Sequence, residues 1–305
     1  MTQQAVGLWN ALIHPQQRHK NDTSTLQDLN WSRHQHSLPA GLTMQWLGTA
    51  GFSLEYEGYT LLIDPYASRP GLRQVLSSHY LRPNPTNIEA AISNANAILV
   101  GHTHFDHALD VPGLVKMFDC CALGSESLSR LLSLHQLQHR AIVVDCKKTY
   151  HLGPFEVTFV QSLHSKLLLG WKVPNEGEIC CEHLDCLSSG QYKCGQVFGI
   201  HIKVAGVTFY HQGSANLIDD NIPFRNIDYF LCGISGRGFT KNYTGRILKK
   251  LSPGIVIPHH FDNFFTDINE PVTFIMNVNL GGFVEEVEKV SNEFDVRTLN
   301  LMQKI

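Results

Sequence analysis

Three imidazoles and one carboxylate crowd into the run Gly101-His102-Thr103-His104-Phe105-Asp106-His107, directly after the apolar stretch Ala97-Ile98-Leu99-Val100. Neutral imidazole and carboxylate together suit a divalent first-row cation: zinc foremost, with manganese or iron also accommodated, and soft thiolate-seeking ions disfavoured. A short loop leaving a buried strand end is fixed at its root and can hold several ligands close together. Single histidines in a chain with 17 of them are usually surface or satisfied core groups. The H-x-H-x-D-H spacing, with an aspartate inside it, points instead to metal.

The run resembles the signature of the metallo-β-lactamase superfamily, and other segments fall in the order that family shows. Upstream, Met44-Gln45-Trp46-Leu47-Gly48-Thr49-Ala50-Gly51-Phe52 and Thr60-Leu61-Leu62-Ile63-Asp64-Pro65 resemble its opening hairpin; downstream, His164 and His260 resemble its third and last histidines. The resemblance covers about residues 41–305 and is greatest to the lactonase branch that includes L-ascorbate 6-phosphate lactonase, with N-acylphosphatidylethanolamine phospholipase D more distant. It implies an α/β fold, a four-layer αβ/βα sandwich with one or two metals at its rim. Asp64 is then expected beneath the metals, holding a histidine in its working tautomer.

One position departs from the family pattern. Where most members carry a Gly-Asp pair whose carboxylate bridges two metals, this chain reads Gln212-Gly213-Ser214. A hydroxyl keeps its proton near neutral pH and coordinates weakly. The expected site is therefore asymmetric: a tight cation at His102, His104 and His164, and a weaker one at Asp106, His107 and His260. Asp262 is the nearest spare carboxylate that could compensate. His211 and His259 are out of phase with the ligand positions and are expected to be bystanders.

The resemblance implies a metal-dependent hydrolase in which a metal-bound water, its pKa drawn towards ~7, supplies hydroxide to an ester, lactone or phosphodiester. Asp106 is the expected catalytic carboxylate, orienting that water and accepting its proton, and Arg237 or Tyr243 are candidate donors to the developing oxyanion. No G-x-S-x-G run supports a serine nucleophile. A metal-dependent nuclease and a non-catalytic metal- or thiol-sensing protein are the alternatives. The net charge of −3 weighs against the nuclease, as does the pI near 6.6. The His at the second position of the metal run, where electron-transfer relatives place Glu, weighs against iron–oxygen chemistry. A small-molecule substrate and no nucleic-acid partner follow.

With 305 residues, 43% hydrophobic and 17% charged, and no linker-like stretch, the chain reads as one large domain at 41–305 preceded by an extension at 1–40. Val6, Trp9 and Ile13 stand at helical spacing within that extension. No apolar run spans a bilayer and the first residues lack a signal-peptide pattern, so a cytoplasmic protein is expected. Strands are expected at 43–47, 52–56, 59–63, 121–123, 141–144, 198–204, 207–210 and 229–231, with helices at 110–117, 125–137 and 244–251. Arg69, Arg73 and Arg82 sit in loop-like sequence that could line the mouth of the site. Residues 166–194 interrupt the pattern after His164 and read as a lid or pocket wall, with Trp171 as a candidate substrate contact. Of the eight cysteines, Cys180, Cys181, Cys186 and Cys194 share this segment with His183. Reduced thiols are the default there, with a second metal or redox pair the alternative. The sequence leaves oligomeric state open.

Overall fold

The computed structural model describes residues 15–166, 172–275 and 278–305. Strands β1 (Thr43–Gly48), β2 (Gly51–Tyr56) and β3 (Tyr59–Ile63) form an antiparallel meander. Strands β4 (Ala97–Leu99), β5 (Cys121–Gly124) and β6 (Ala141–Val143) extend the same sheet in parallel. The second sheet repeats the plan: β7 (Thr149–Leu152), β8 (Phe155–Ser162), β9 (Val197–Val204) and β10 (Val207–Gln212) are antiparallel. They are continued in parallel by β11 (Tyr229–Gly233), β12 (Ile255–His259) and β13 (Asp295–Val296). Parallel neighbours need crossovers, and the helices Pro85–Ala91, Val111–Phe118, Glu126–Leu134, Tyr243–Leu251 and Leu280–Val290 lie in those connections.

The period of two along each strand separates the layers. In β3, Leu61 and Ile63 pack with Trp46, Phe52, Phe159 and Ile200 between the sheets, whereas Leu62 turns outward to Ile98, Leu114, Leu128 and Leu131. In the second sheet His211 reaches inward to the Ala50 carbonyl at 2.9 Å, while Cys232, in register with the next residue of β10, turns out to the Tyr243 hydroxyl at 3.8 Å. Helices thus cover both outer faces and the sheets face one another. This is the four-layer αβ/βα sandwich.

Residues 15–40 pack on this body. The helix Pro15–Asp28 lies against Leu280–Val290, and Asp22 accepts from the Leu280 and Gly281 amides at 2.8 and 3.2 Å. Those amides belong to the exposed N-terminal turn of a helix, where a carboxylate is favoured. The spacing noted at Val6, Trp9 and Ile13 lies outside the described residues. Expected element ends agree within a few residues, with two differences of substance. The helix expected to reach residue 137 stops at Leu134, where Gln136 takes φ +60°. The β7–β8 hairpin and the helix Leu280–Val290 had no sequence expectation; Gly281 and Gly282 obscure the latter's propensity. Among the described residues no helix is long and apolar enough to cross a membrane.

One clamp sets the rim between the sheets. The register of β1 and β2 shifts between Trp46 and Gly48, and Gly48 adopts φ +90° with Arg69 so close that any Cβ would collide with its guanidinium. Arg69 forms a buried ion pair with Asp262, which also accepts from the Thr49 amide at 2.9 Å. Arg69 is therefore part of the framework, whereas Arg73 and Arg82 are exposed. Removing the carboxylate alone leaves a buried charge without its partner. In metal-free protein Asp262→Ala should cost about 3–5 kcal/mol, and Arg69→Met with Asp262→Leu should recover most of it. Urea denaturation decides: a loss under about 1 kcal/mol, the worth of an exposed pair, would show that the clamp carries no load.

Candidate metal centre

Three strand ends, those of β4, β8 and β12, deliver the six candidate ligands to one edge of the sandwich. At the end of β3, Asp64 accepts from the Gly101 amide at 2.6 Å and thereby pins the start of the metal run as it leaves β4. His102 and His104 lie on extended backbone. The chain then turns into the short helix Phe105–Ala108, whose amides at His107 and Ala108 both reach the His104 carbonyl at 3.0 Å. That change from extended to helical backbone splits the run. His102 and His104 join His164, beyond β8, while Asp106 and His107 join His260, beyond β12. The ligand atoms of each trio lie within 4.8 Å of one another.

Hydrogen bonds on the far side of three rings, His104, His107 and His164, select the nitrogen that faces inward. A carbonyl or carboxylate acceptor requires the bonded nitrogen to carry hydrogen, leaving the other as a lone pair. Nδ1 of His107 lies 2.8 Å from Asp64 Oδ2, so its Nε2 is free and stands 3.8 Å from Asp106 Oδ2. For His164, Nδ1 bonds the Ser165 carbonyl at 2.7 Å, which frees Nε2. The Pro174 carbonyl takes His104 Nε2 at 2.9 Å, leaving Nδ1, which lies 3.1 Å from His102 Nε2. His260 Nε2 lies 3.3 Å from Asp106 Oδ2.

Charge follows the same division. Burial, helped by the neighbouring rings, pushes His102 well below the ordinary imidazole pKa; burial likewise lowers His104 to about 4 and lowers His164. The first trio is thus neutral, the form in which imidazole binds metal. Burial acts to raise the Asp106 carboxyl, but His107, His260 and His104 outweigh it and hold it below the usual carboxylate range. Burial also opposes charge on His107, where Asp64 and then Asp106 prevail and raise its pKa. Six inward donors, five imidazole and one carboxylate, fit divalent first-row cations.

The remaining candidates fall in three places. Ser214, after β10, is buried, and its Oγ accepts from the Ser165 amide at 3.0 Å, beside His164. His211 and His259 stack at 5.0 Å behind the ligands and belong to neither trio. Arg237 and Tyr243 are not brought to the trios. Arg237 pairs with Glu286 at 3.2 Å and donates to the Asn279 carbonyl at 2.7 Å, while Tyr243 meets Cys232, so the structure commits both side chains to the helical layer. Asp262 does not stand in for the absent bridge either, because Arg69 and Thr49 occupy its oxygens. Trp171 lies outside the described residues. All eight cysteines are unpaired, and among the described residues His, Cys, Asp and Glu side chains form no third cluster of ligands. The Pro174 carbonyl is a participant that sequence reasoning missed, since a main-chain oxygen leaves no mark on residue type.

Fold and donor set together define a metal-dependent hydrolase, and the chain belongs to the β-lactamase superfamily, whose domain matches residues 43–260. A UPF0173 metal-dependent hydrolase from Staphylococcus aureus is 27% identical over 225 residues, 68% of this chain and 87% of its own. Another from Carboxydothermus hydrogenoformans is 26% identical over 229 residues, 73% of this chain and 86% of its own. Among solved structures, Igni18, a metallo hydrolase from Ignicoccus hospitalis, superposes with TM-score 0.57 at 17% identity, covering 87% of this chain and 97% of its own. The metallo-β-lactamase fold protein YhfI from Bacillus subtilis gives 0.55 at 14%, covering 87% and 99%. These two likenesses establish the αβ/βα metallo-β-lactamase fold.

Proton linkage gives a test of the buried rings. His102, His104, His211 and His259 have pKa values lowered by burial from an ordinary 6.5. Below that pH the unfolded chain takes up protons that the folded state refuses, so these four withdraw stability as pH falls. His107, raised in the fold, acts in the opposite sense: its contribution is full below 6.5 and lost as pH rises through its folded value. Four outweigh one. Metal-free protein should lose stability between about pH 6.5 and 4.5 with a slope above one net proton, each worth about 1.4 kcal/mol per pH unit. Urea titrations across that range check it, and a flat or rising acid limb would mean the rings are charged in the fold.

Proposed function

We propose that this hydrolase cleaves an ester, lactone or phosphodiester bond of a small molecule with zinc as its cation, manganese and iron being the alternatives the donors also fit. The observation that carries the reading is the pair of converging trios, in which His104, His107 and His164 each have one nitrogen held from behind and the other free. A bound divalent cation supplies Lewis acidity and lowers the pKa of a water. The chain's own groups do the rest. Asp106 Oδ2, ionised and beside both His107 and His260, orients the attacking water and is placed to take its proton. Asp64 fixes His107, and Pro174 fixes His104.

The same reading makes the first trio the tighter site, because the second lacks a bridging carboxylate at Ser214. Residues 172–194 act as a wall over the first trio. Cys194 and Lys193 carbonyls accept from the Thr103 amide and hydroxyl at 3.0 and 2.6 Å, so this segment is tied to the metal run itself. The net charge of −3 favours a small-molecule substrate over a polynucleotide. A reducing, cytoplasmic setting suits eight unpaired cysteines.

Elemental analysis of protein purified with limiting zinc should find near one metal per chain, lost from the variant His102→Ala with His104→Ala. Retention of wild-type metal in that variant would place the site elsewhere. On a panel of phosphodiesters, lactones and acyl esters, Asp106→Asn should lower turnover by about 10²–10⁴ on whichever substrate the wild type accepts. Asp64→Asn should weaken metal at the second trio about 10–100-fold without touching substrate. No turnover on any class, with both sites filled, would remove the bond assignment.

A further inference from the structure

The turn after β10 touches both halves of the metal centre. A Cβ placed on Gly213 would lie 2.8 Å from Asp64 Oδ2 and 3.4 Å from His107 Cε1, so this residue abuts the second trio. The next residue, Ser214, accepts from the Ser165 amide at 3.0 Å, and Asn216 donates to the His164 carbonyl at 3.2 Å, so the turn also abuts the first. Ser214 therefore stands at the junction, buried at 4% exposure.

The junction is short of negative charge. The first trio contributes none and the second contributes Asp106 alone. Of the two other carboxylates nearby, Asp262 is neutralised by Arg69, and Asp64, its oxygens taken by Gly101 and His107, lends its charge only from behind the His107 ring. Two dications held by one carboxylate leave a large positive excess, the local charge that dominates such a site. Ser214 Oγ uses a lone pair on Ser165, and among the described residues its own proton meets no acceptor. A carboxylate here would repel an anion. A hydroxyl can donate to one. His164 is only half-buried, and Leu163 beside it is exposed.

We infer that the Ser214 position receives an oxyanion of the substrate, which supplies the missing negative charge between the trios and completes the cation site at Asp106, His107 and His260. The inference rests on the metal-dependent hydrolase reading and assigns its substrate class: a molecule carrying a phosphoryl or carboxylate group at or beside the bond cleaved. The second cation and the anion then bind cooperatively, and by linkage each tightens the other by the same factor.

Zinc binding by competition with a chromophoric chelator tests this without any turnover measurement, with inorganic phosphate and acetate as probes. In the wild type the first equivalent should be tight and indifferent to either anion, and the second should tighten about tenfold or more with at least one of them. An effect of phosphate alone assigns the phosphoryl group; an equal effect of acetate assigns a carboxylate. Ser214→Asp should hold the second zinc tightly without anion, its remaining response falling below about twofold. The wild-type measurement stands by itself if that variant misfolds, because phosphate affinity measured at one and at two zinc per chain must show the same factor. Two equally tight ions without anion would overturn the inference, as would a second ion indifferent to both probes, or an equal anion response in Ser214→Asp. A tight first ion alongside any of those results leaves the hydrolase reading intact, whereas no zinc at the first trio overturns both.

Discussion

Asp64 is buried at 0% exposure, and each of its oxygens has one task. Oδ1 takes the Gly101 amide at 2.6 Å and Oδ2 takes His107 Nδ1 at 2.8 Å. The first bond fixes where β4 stops being a strand and the second fixes which nitrogen of His107 faces Asp106 and His260. A buried carboxylate is costly unless every lone pair finds a donor or opposite charge, so this arrangement is all-or-none. It also explains the glycine at 213, since a side chain there would meet Oδ2. The ends of β3, β4 and β10 are thereby registered against one group, and the six donors inherit their spacing from it.

A second layer of main-chain bonds carries this registration to the remaining ligands. His260 donates its amide to the Thr49 carbonyl at 2.8 Å, Thr49 in turn donates to Asp262, and Asp262 holds Arg69. On the opposite side the segment from Pro174 to Cys194 closes on itself through Cys194 to Asn175 and Gly195 to Gly177, both at 2.8 Å, before touching His104 and Thr103. His104, His107 and His260 are thus each tied to a group from a different part of the chain. Local disorder in one loop would disturb one ligand, and loss of the sheet ends would disturb all.

What sequence could reveal follows from how each part is encoded. Ligand type is written in side chains, so His102, His104, Asp106 and His107 were readable from spacing, and the resemblance supplied His164 and His260. Runs of apolar and β-branched residues between turn residues made β1 to β3 and β9 to β11 readable as well. Interactions written in the backbone left no such trace: the Pro174 carbonyl, the Thr49 amide and the carbonyls at Ser165 and Ala50 belong to no residue type. Arg237 and Tyr243 illustrate the opposite error. Their chemistry suited an oxyanion, but residue type does not fix the direction of a side chain. Arg237 turns to Glu286 and Asn279 to fasten the helix Leu280–Val290 instead.

The rim also carries backbone that non-glycine residues rarely adopt. Thr49, Asp64, Arg69 and His260 all take left-handed φ values, from +43° to +61°, although none is glycine. Asp and His tolerate that region better than most residues, while Thr and Arg occupy it at a cost of about 1–3 kcal/mol each. The turns are needed because a strand running straight on would carry its next side chain past the edge and away from the centre. Left-handed backbone at Asp64 and His260 turns the chain within one residue. The hydrogen bonds from Gly101 to Asp64 and from His260 to Thr49 then oppose relaxation, as does the ion pair of Arg69 with Asp262. Strain and clamp are thus one device: the rim is held in a conformation the isolated segments would not keep.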